Sequence, residues 1–322
     1  MYRRSLLAAA TLGLAPPGTA HAQGFPTRPV RVIVGFPPGG GTDLLARPLA
    51  QRLQATLGQP AVVENRGGAN GNLGLEAVAK SVPDGYTIGH VNSSVVVTNP
   101  LLYGGMAIDV ARDLLPVCMV GDGAVVIVVP ADLPVHNLSD LIALARAQPG
   151  RLNFGSGGLG SVDHLAFEVL RWQTGVDILH APYRGGGPAL QDMLGGRIQL
   201  MISSFGMYKA QVDAGRLRIL AILGRERHPS LPDVPTSVEQ GWPDLLVPVW
   251  QGVVAPAQTP AAVVARLEEA YRVAVADPEV RTTLESQGYF AVFRGQQDMA
   301  RMMREDAARW ALIIREARIR LE

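Results

Sequence analysis

The chain of 322 residues has one cysteine, Cys118, few aromatics (6%) and no excess of either charge. A lone cysteine excludes a disulfide framework and a cysteine metal cluster. With 29 basic and 28 acidic residues, nothing marks nucleic acid or an anionic membrane surface as a partner. Apolar residues make up 48%, yet no run approaches the roughly 20 residues of a bilayer span. His90, His136, His164, His180 and His228 are scattered, and no two stand at ligand spacing, so no metal site is expected. Internal repeats and low-complexity tracts are also missing.

What is present begins with an export signal. Met1-Tyr2-Arg3-Arg4 is a cationic head, Ser5 to Leu14 is apolar, and Pro16-Pro17-Gly18 breaks any helix. Ala20-His21-Ala22 places small residues where a signal peptidase cuts, so residues 1–22 read as a signal peptide. The Arg3-Arg4 pair leaves the twin-arginine and general export routes both open. No cysteine follows the signal to take a lipid anchor, which points to a Gram-negative periplasm. Without Arg3 and Arg4 the balance becomes 27 basic against 28 acidic residues. About 300 remaining residues suggest two domains.

Strand and helix patterns alternate. Arg31 to Gly35 reads as a strand, Asp43 to Leu57 as a helix, Ala61 to Glu64 as a strand and Leu75 to Lys80 as a helix. Tyr86 to Val91 follows as a strand. The rhythm restarts at Ala124 to Val129, an apolar run of the kind a buried parallel strand shows. It continues through helix 138–147, strand 152–154, helix 162–173, strand 176–181, helix 188–194 and strands 199–202 and 217–223. This predicts mostly parallel sheets with helices on both faces, in two α/β lobes. The last 60 or so residues read as three amphipathic helices, 260–276, 279–287 and 297–317.

Two glycine loops concentrate the chemistry. The first, Phe36 to Asp43, runs from a strand end through Pro37-Pro38-Gly39-Gly40-Gly41 into a helix. The second, Ser156 to His164, runs through Gly157-Gly158-Leu159-Gly160 into a helix capped by Ser161. Glycines let backbone approach a ligand, and the free N–H groups of a helix start favour an anion. Thr42 and Ser161 can cap their helices or turn toward that anion. His164 can either reach the ligand or orient the loop by a hydrogen bond. Gly155 to Gly160 also matches a dinucleotide fingerprint, but Asp177 opens the next strand instead of closing it. No Lys-Ser or Lys-Thr completes a phosphate loop, and neither Ser156 nor Ser161 sits in Gly-x-Ser-x-Gly. An enzyme is not expected, nor is any cofactor.

At these loops the chain closely resembles the tripartite tricarboxylate transporter substrate-binding family, also called the Bug receptors. The matching segments run almost end to end: RVIVGFPPGGGTD from Arg31 to Asp43, VENRGG from Val63 to Gly68, GNLG from Gly71 to Gly74 and PDGY from Pro83 to Tyr86. NPLLY from Asn99, LNFGS from Leu152, HAPYRG from His180, GRLR from Gly215, LPDVPT from Leu231, WQG from Trp250 and Ala255-Pro256 complete the set. Two stretches depart from the family pattern. Phe205 to Ala210 lacks prolines that relatives often carry there, and Gly105 to Val110 stands where Tyr-Asp-Pro is commoner.

The resemblance implies a two-lobed type II periplasmic-binding-protein (Venus flytrap) fold with a helical C-terminal tail. One lobe would hold residues 23–123 and 248–322, the other residues 124–247. It implies a monomer that captures a small organic carboxylate between the lobes, partly through ordered water, for the membrane subunits of a tripartite transporter. The same receptor could instead present its ligand to an extracytoplasmic sensor. Carried over, the ligand-binding residues are Phe36, Gly40, Gly41, Thr42 and Asp43 of the first loop and Ser156, Gly158, Gly160, Ser161 and His164 of the second. Ser93 and Ser204 are expected in the cleft wall. Asp43 is expected to orient backbone or water rather than to meet a carboxylate, and Arg184 to be a surface arginine.

Overall fold

The computed structural model describes residues 24–286 and 288–319. The signal peptide expected over residues 1–22 lies outside the described residues. Eleven strands form two sheets. They are β1 (Val30–Val34), β2 (Ala61–Asn65), β3 (Thr87–Asn92), β4 (Leu114–Gly123), β5 (Val125–Pro130), β6 (Asn153–Ser156), β7 (Leu179–Pro182), β8 (Leu200–Ser204), β9 (Leu217–Ile222), β10 (Val249–Pro256) and β11 (Tyr289–Phe290). The first sheet has the order β11-β4-β10-β3-β1-β2 and the second β7-β6-β8-β5-β9.

The sheets are mixed, which corrects the expectation of mostly parallel ones. β1 pairs parallel with β2 and β3, and β6 with β7 and β8. The other pairings, of β10 with β3 and β4, β11 with β4, and β5 with β8 and β9, are antiparallel. The cause is how the chain changes sheets. β4 runs into β5 with only Ala124 between them, and after β9 the chain returns to enter β10. β10 pairs antiparallel along the whole of β4, with Gly123 opposite Val249. Strands entering a sheet from opposite ends can pair no other way.

Local sequence explains the elements flanking the loops. β1 (VRVIV) and β5 (VVIVVP) are β-branched and almost wholly buried, the composition of a strand covered on both faces. The helix Gly41–Leu57 buries Leu45, Leu49 and Leu53 and ends at Gly58 in the left-handed region, whose N–H reaches the Gln54 carbonyl. The helix Val162–Thr174 ends the same way at Gly175, against Arg171. The three C-terminal helices, Ala261–Ala276, Pro278–Ser286 and Gln296–Glu316, pack on the first sheet. There Trp250 of β10, 1% exposed, donates its indole N–H to Asp306 of the last helix at 2.8 Å. Among the described residues no helix is long and apolar enough to cross a membrane.

Candidate functional site

Both glycine loops leave the C-terminal end of a parallel strand, the first from β1 and the second from β6, one on each sheet. In open α/β sheets this is where ligands are held. Each loop is fastened from behind by an aspartate in the first turn of the helix it feeds.

In the first loop that residue is Asp43, 1% exposed. Its Oδ2 accepts the Gly39 N–H at 2.9 Å, and Arg47 grips both oxygens at 2.8 Å. Asn65, at the end of β2, donates to Asp43 Oδ1 at 2.8 Å and to the Phe36 carbonyl at 2.9 Å. Burial alone would raise the Asp43 carboxyl, but the hydrogen bonds from Arg47, Gly39 and Asn65 outweigh it and hold the pKa below its ordinary value. Asp43 is therefore turned into the loop's own scaffold. Gly40 N–H goes to the Pro37 carbonyl at 3.2 Å. The N–H groups of Gly41, Thr42 and Asp43 donate to no acceptor among the described residues.

In the second loop the fastening residue is Asp163, which sequence reasoning missed. It accepts the Gly157 N–H at 3.0 Å and the Ser203 hydroxyl of β8 at 2.7 Å. Burial outweighs these bonds and its pKa is raised. Gly158 N–H goes to Ser156 Oγ at 3.2 Å, and Ser161 N–H to the Gly158 carbonyl at 3.3 Å. Ser161 caps the helix by accepting the His164 N–H at 3.2 Å. The N–H groups of Leu159 and Val162 remain without an acceptor among the described residues. Each helix start thus keeps unpaired donors, to which the helix dipole adds partial positive charge.

Of the two roles left open for His164, its ring makes the bond that orients the loop. Nδ1 accepts the Gly160 N–H at 3.1 Å, so His164 orients the loop. Nε2 then carries the proton and faces Glu168 at 3.7 Å. The ring stacks at 4.7 Å on His180, whose Nε2 bonds Ser156 Oγ at 2.6 Å. Burial, then the neighbouring His180 and Arg171, push the His164 pKa down to about 4. The unfolded chain takes up this proton near 6.5 and the folded chain only near 4. The stability His164 contributes is therefore complete above pH 6.5 and is lost as pH falls through about 4. Nitrogen-detected NMR is expected to find His164 neutral, with the proton on Nε2, at pH 5.5. An imidazolium there would refute the Gly160 bond.

Ser93 follows β3 and Ser204 ends β8. Ser93 Oγ accepts the Trp250 N–H at 3.4 Å, and it lines a small chamber with Val162 and Leu165 of the second loop's helix. That chamber joins the first sheet's elements to the second's. Ser204 ends β8 opposite Val125, beside Tyr289 of β11. Arg184 is exposed, as expected of its turn.

Two α/β lobes joined by crossing strands, with unpaired N–H donors at a helix start on each, define a type II periplasmic binding protein. The chain belongs to the tripartite tricarboxylate transporter family of receptors, whose sequence profile matches residues 45–319. It is 38% identical to the protein BugT of Bordetella pertussis over 314 residues, 97% of this chain and 96% of that one. Among solved structures it resembles a Rhodopseudomonas palustris protein with adipate, at TM-score 0.81 and 36% identity, covering 92% of this chain and 99% of that one. It also resembles MatC of Rhodopseudomonas palustris with bound malate, at TM-score 0.78 and 31% identity, covering 90% of this chain and all of that one.

Proposed function

We propose that this protein captures a small organic carboxylate between its lobes in the periplasm and delivers it to the membrane subunits of a tripartite tricarboxylate-type transporter. The observation that supports this best is the pair of helix starts, one per sheet, whose N–H groups at Gly41, Thr42 and Asp43 and at Leu159 and Val162 have no acceptor among the described residues. Donors held ready on both sides suit the two oxygens of one carboxylate. The adipate and malate of the two solved relatives are carboxylates of this size.

Residues 23–123 with 248–322 act as one lobe and residues 124–247 as the other. Phe36, Gly40, Gly41 and Thr42 form one wall of the site, Ser156, Gly158, Gly160 and Ser161 the other, with Asp43 and His164 holding the walls in shape. Hinges at Gly121 to Ala124 and Val247 to Trp250 let a monomer open and close. A ligand that touches both lobes binds the closed state better and so draws the equilibrium toward it. No bond is made or broken.

A thermal melt against a panel of carboxylic acids tests this. An acid at a hundred times its dissociation constant adds about 2.7 kcal/mol of stability, and the melting temperature is expected to rise by several degrees. The matching amide is expected to leave it unmoved. A refolded, ligand-free protein that no acid stabilises would refute carboxylate capture.

A further inference from the structure

Ser156 serves the second wall from behind. It is 0% exposed, and its hydroxyl is engaged on the inner side of the loop. Successive side chains of a strand alternate between faces, so Phe154 and Ser156 share one face of β6. His180 of β7 stands opposite Phe154, its ring tilted beside Phe154 at 5.4 Å and stacked on His164 at 4.7 Å. From there Nε2 reaches Ser156 Oγ at 2.6 Å, and the same oxygen accepts the Gly158 N–H at 3.2 Å. A path therefore runs from the His180 ring through one hydroxyl to the residue just before Leu159, whose N–H is one of the unpaired donors.

Which group donates along this path follows from counting protons. Ser156 has one hydroxyl proton, and Gly158 already donates to its oxygen. A proton on Nε2 would give that oxygen two donors. The hydroxyl proton would then have only the Gly158 carbonyl at 3.5 Å, the outer limit of a hydrogen bond. With Nε2 bare, Ser156 donates to it and every group is used once. The separation agrees, since 2.6 Å suits a hydroxyl donor and is shorter than N–H donors reach. Nδ1 then holds the ring proton, and on a half-buried ring with no partner for Nδ1 among the described residues it donates to water. Burial, then Arg171, hold the His180 pKa below its ordinary value, which favours the neutral ring. Glu168, the acid nearest the stacked His164, is taken by Arg171 at 2.6 Å.

We infer that His180 is a positioning residue of the carboxylate site: its bare Nε2 draws the Ser156 proton, and the hydroxyl so polarised pins the Gly158 N–H and sets the direction of the Leu159 N–H. This rests on the carboxylate reading above and deepens it. Hydrogen bonds in a chain strengthen one another, so the acceptor at His180 makes Ser156 a firmer anchor for Gly158 than a serine alone. The stacked imidazoles are then opposite tautomers, His164 protonated on Nε2 and His180 on Nδ1. Each uses its bare nitrogen to fix a different peptide of one loop, Gly160 directly and Gly158 through Ser156.

Two measurements need no ligand. Long-range proton–nitrogen NMR at pH 7 is expected to find the His180 proton on Nδ1. Amide exchange at Gly158 is expected to quicken at least about tenfold in Ser156→Ala and in His180→Phe, which keeps an aromatic ring against His164. Gly157 and Gly160, held by Asp163 and His164, are expected to keep their wild-type rates. Because both residues act through one bond, the double variant should exchange no faster than Ser156→Ala alone. His180→Gln offers a neutral acceptor in place of Nε2 and is expected to restore most of the protection. Calorimetric titration with a panel of mono- and dicarboxylic acids, malate and adipate among them, reads the consequence. Binding is expected to weaken at least about fivefold in His180→Phe, with the melting temperature nearly unchanged, and to recover in His180→Gln. A His180 proton on Nε2, or wild-type Gly158 exchange or wild-type affinity in His180→Phe, overturns the inference. A wild-type protein that binds no acid would instead refute carboxylate capture, on which the exchange measurements do not depend.

Discussion

Asp43→Ala is expected to weaken carboxylate binding roughly thirtyfold to a hundredfold, equivalent to about 2–3 kcal/mol. The carboxylate holds the Gly39 N–H, the Asn65 amide and the Arg47 fork at once, and Asn65 in turn holds the Phe36 carbonyl. Alanine removes the acceptor shared by the exposed Gly39 N–H and the half-buried Asn65 amide, and a hydrogen bond to a charged group contributes about 1.5–3 kcal/mol. Arg47 is half-exposed and recovers water, so its lost ion pair adds little. Global stability is expected to fall by about 2–3 kcal/mol in a denaturant titration. Acid should mimic the mutation. This carboxyl titrates below its ordinary 3.8 in the fold, so its contribution is complete above that value and is lost as pH falls through the lower, folded one. A variant that is destabilised yet binds with wild-type affinity would show that the first loop's shape does not depend on Asp43.

Gly74→Ala is expected to be strongly destabilising, and Gly41→Ala to act on binding alone. A Cβ on Gly74 would lie 2.6 Å from Gly35 Cα, 3.0 Å from the Arg66 carbonyl oxygen and 3.1 Å from Gly35 N. All three are backbone atoms, so no side chain can turn aside, and a cost of about 3 kcal/mol or more is expected. The displaced segment is the end of β1 that launches the first loop, so binding should fail with stability. At Gly41 a Cβ meets nothing within 4 Å. The fold should tolerate the change, and helix propensity even gains slightly. The methyl nevertheless stands beside unpaired N–H groups, and binding is expected to weaken at least about tenfold, or 1.4 kcal/mol. Melting curves and titrations on both variants separate these roles. Unaltered binding by Gly41→Ala would mean that no ligand sits at that helix start.

The contrast between these residues bears on what could be read before the structure. The strand–glycine–helix order of both loops is local, so Phe36 to Asp43 and Ser156 to His164 could be placed from residue types alone. The helices Gly41–Leu57 and Val162–Thr174 lie within two residues of where periodicity put them. β4 and β10 were harder. Pro116 and the Gly121-Asp122-Gly123 end obscure one, and Gln251-Gly252 interrupts the other. Both are strands because of each other, a pairing more than 120 residues apart in sequence that no local pattern carries. With them the antiparallel half of the first sheet went unread, whereas in the second sheet β5, β8 and β9 were legible as strands and only their antiparallel pairing was not. The same divide runs through the site. Asp163 looks like any acid in a first helical turn, and its tie to Ser203 spans 40 residues.

Because Gly123 and Val249 face each other across two paired strands, the stretch between them leaves and re-enters the first sheet at neighbouring backbone positions, about 5 Å apart. Topologically it is a cassette. Its removal would leave two adjacent strand ends that a tight turn can join, and its replacement by the equivalent stretch of a relative would leave the host sheet's ladder intact. Chimeric receptors are therefore a practical route to new specificities: one lobe can be held constant while the other is exchanged, and each wall of the site varied as a unit. The same junction is a natural place to insert a reporter whose two halves move with the opening angle.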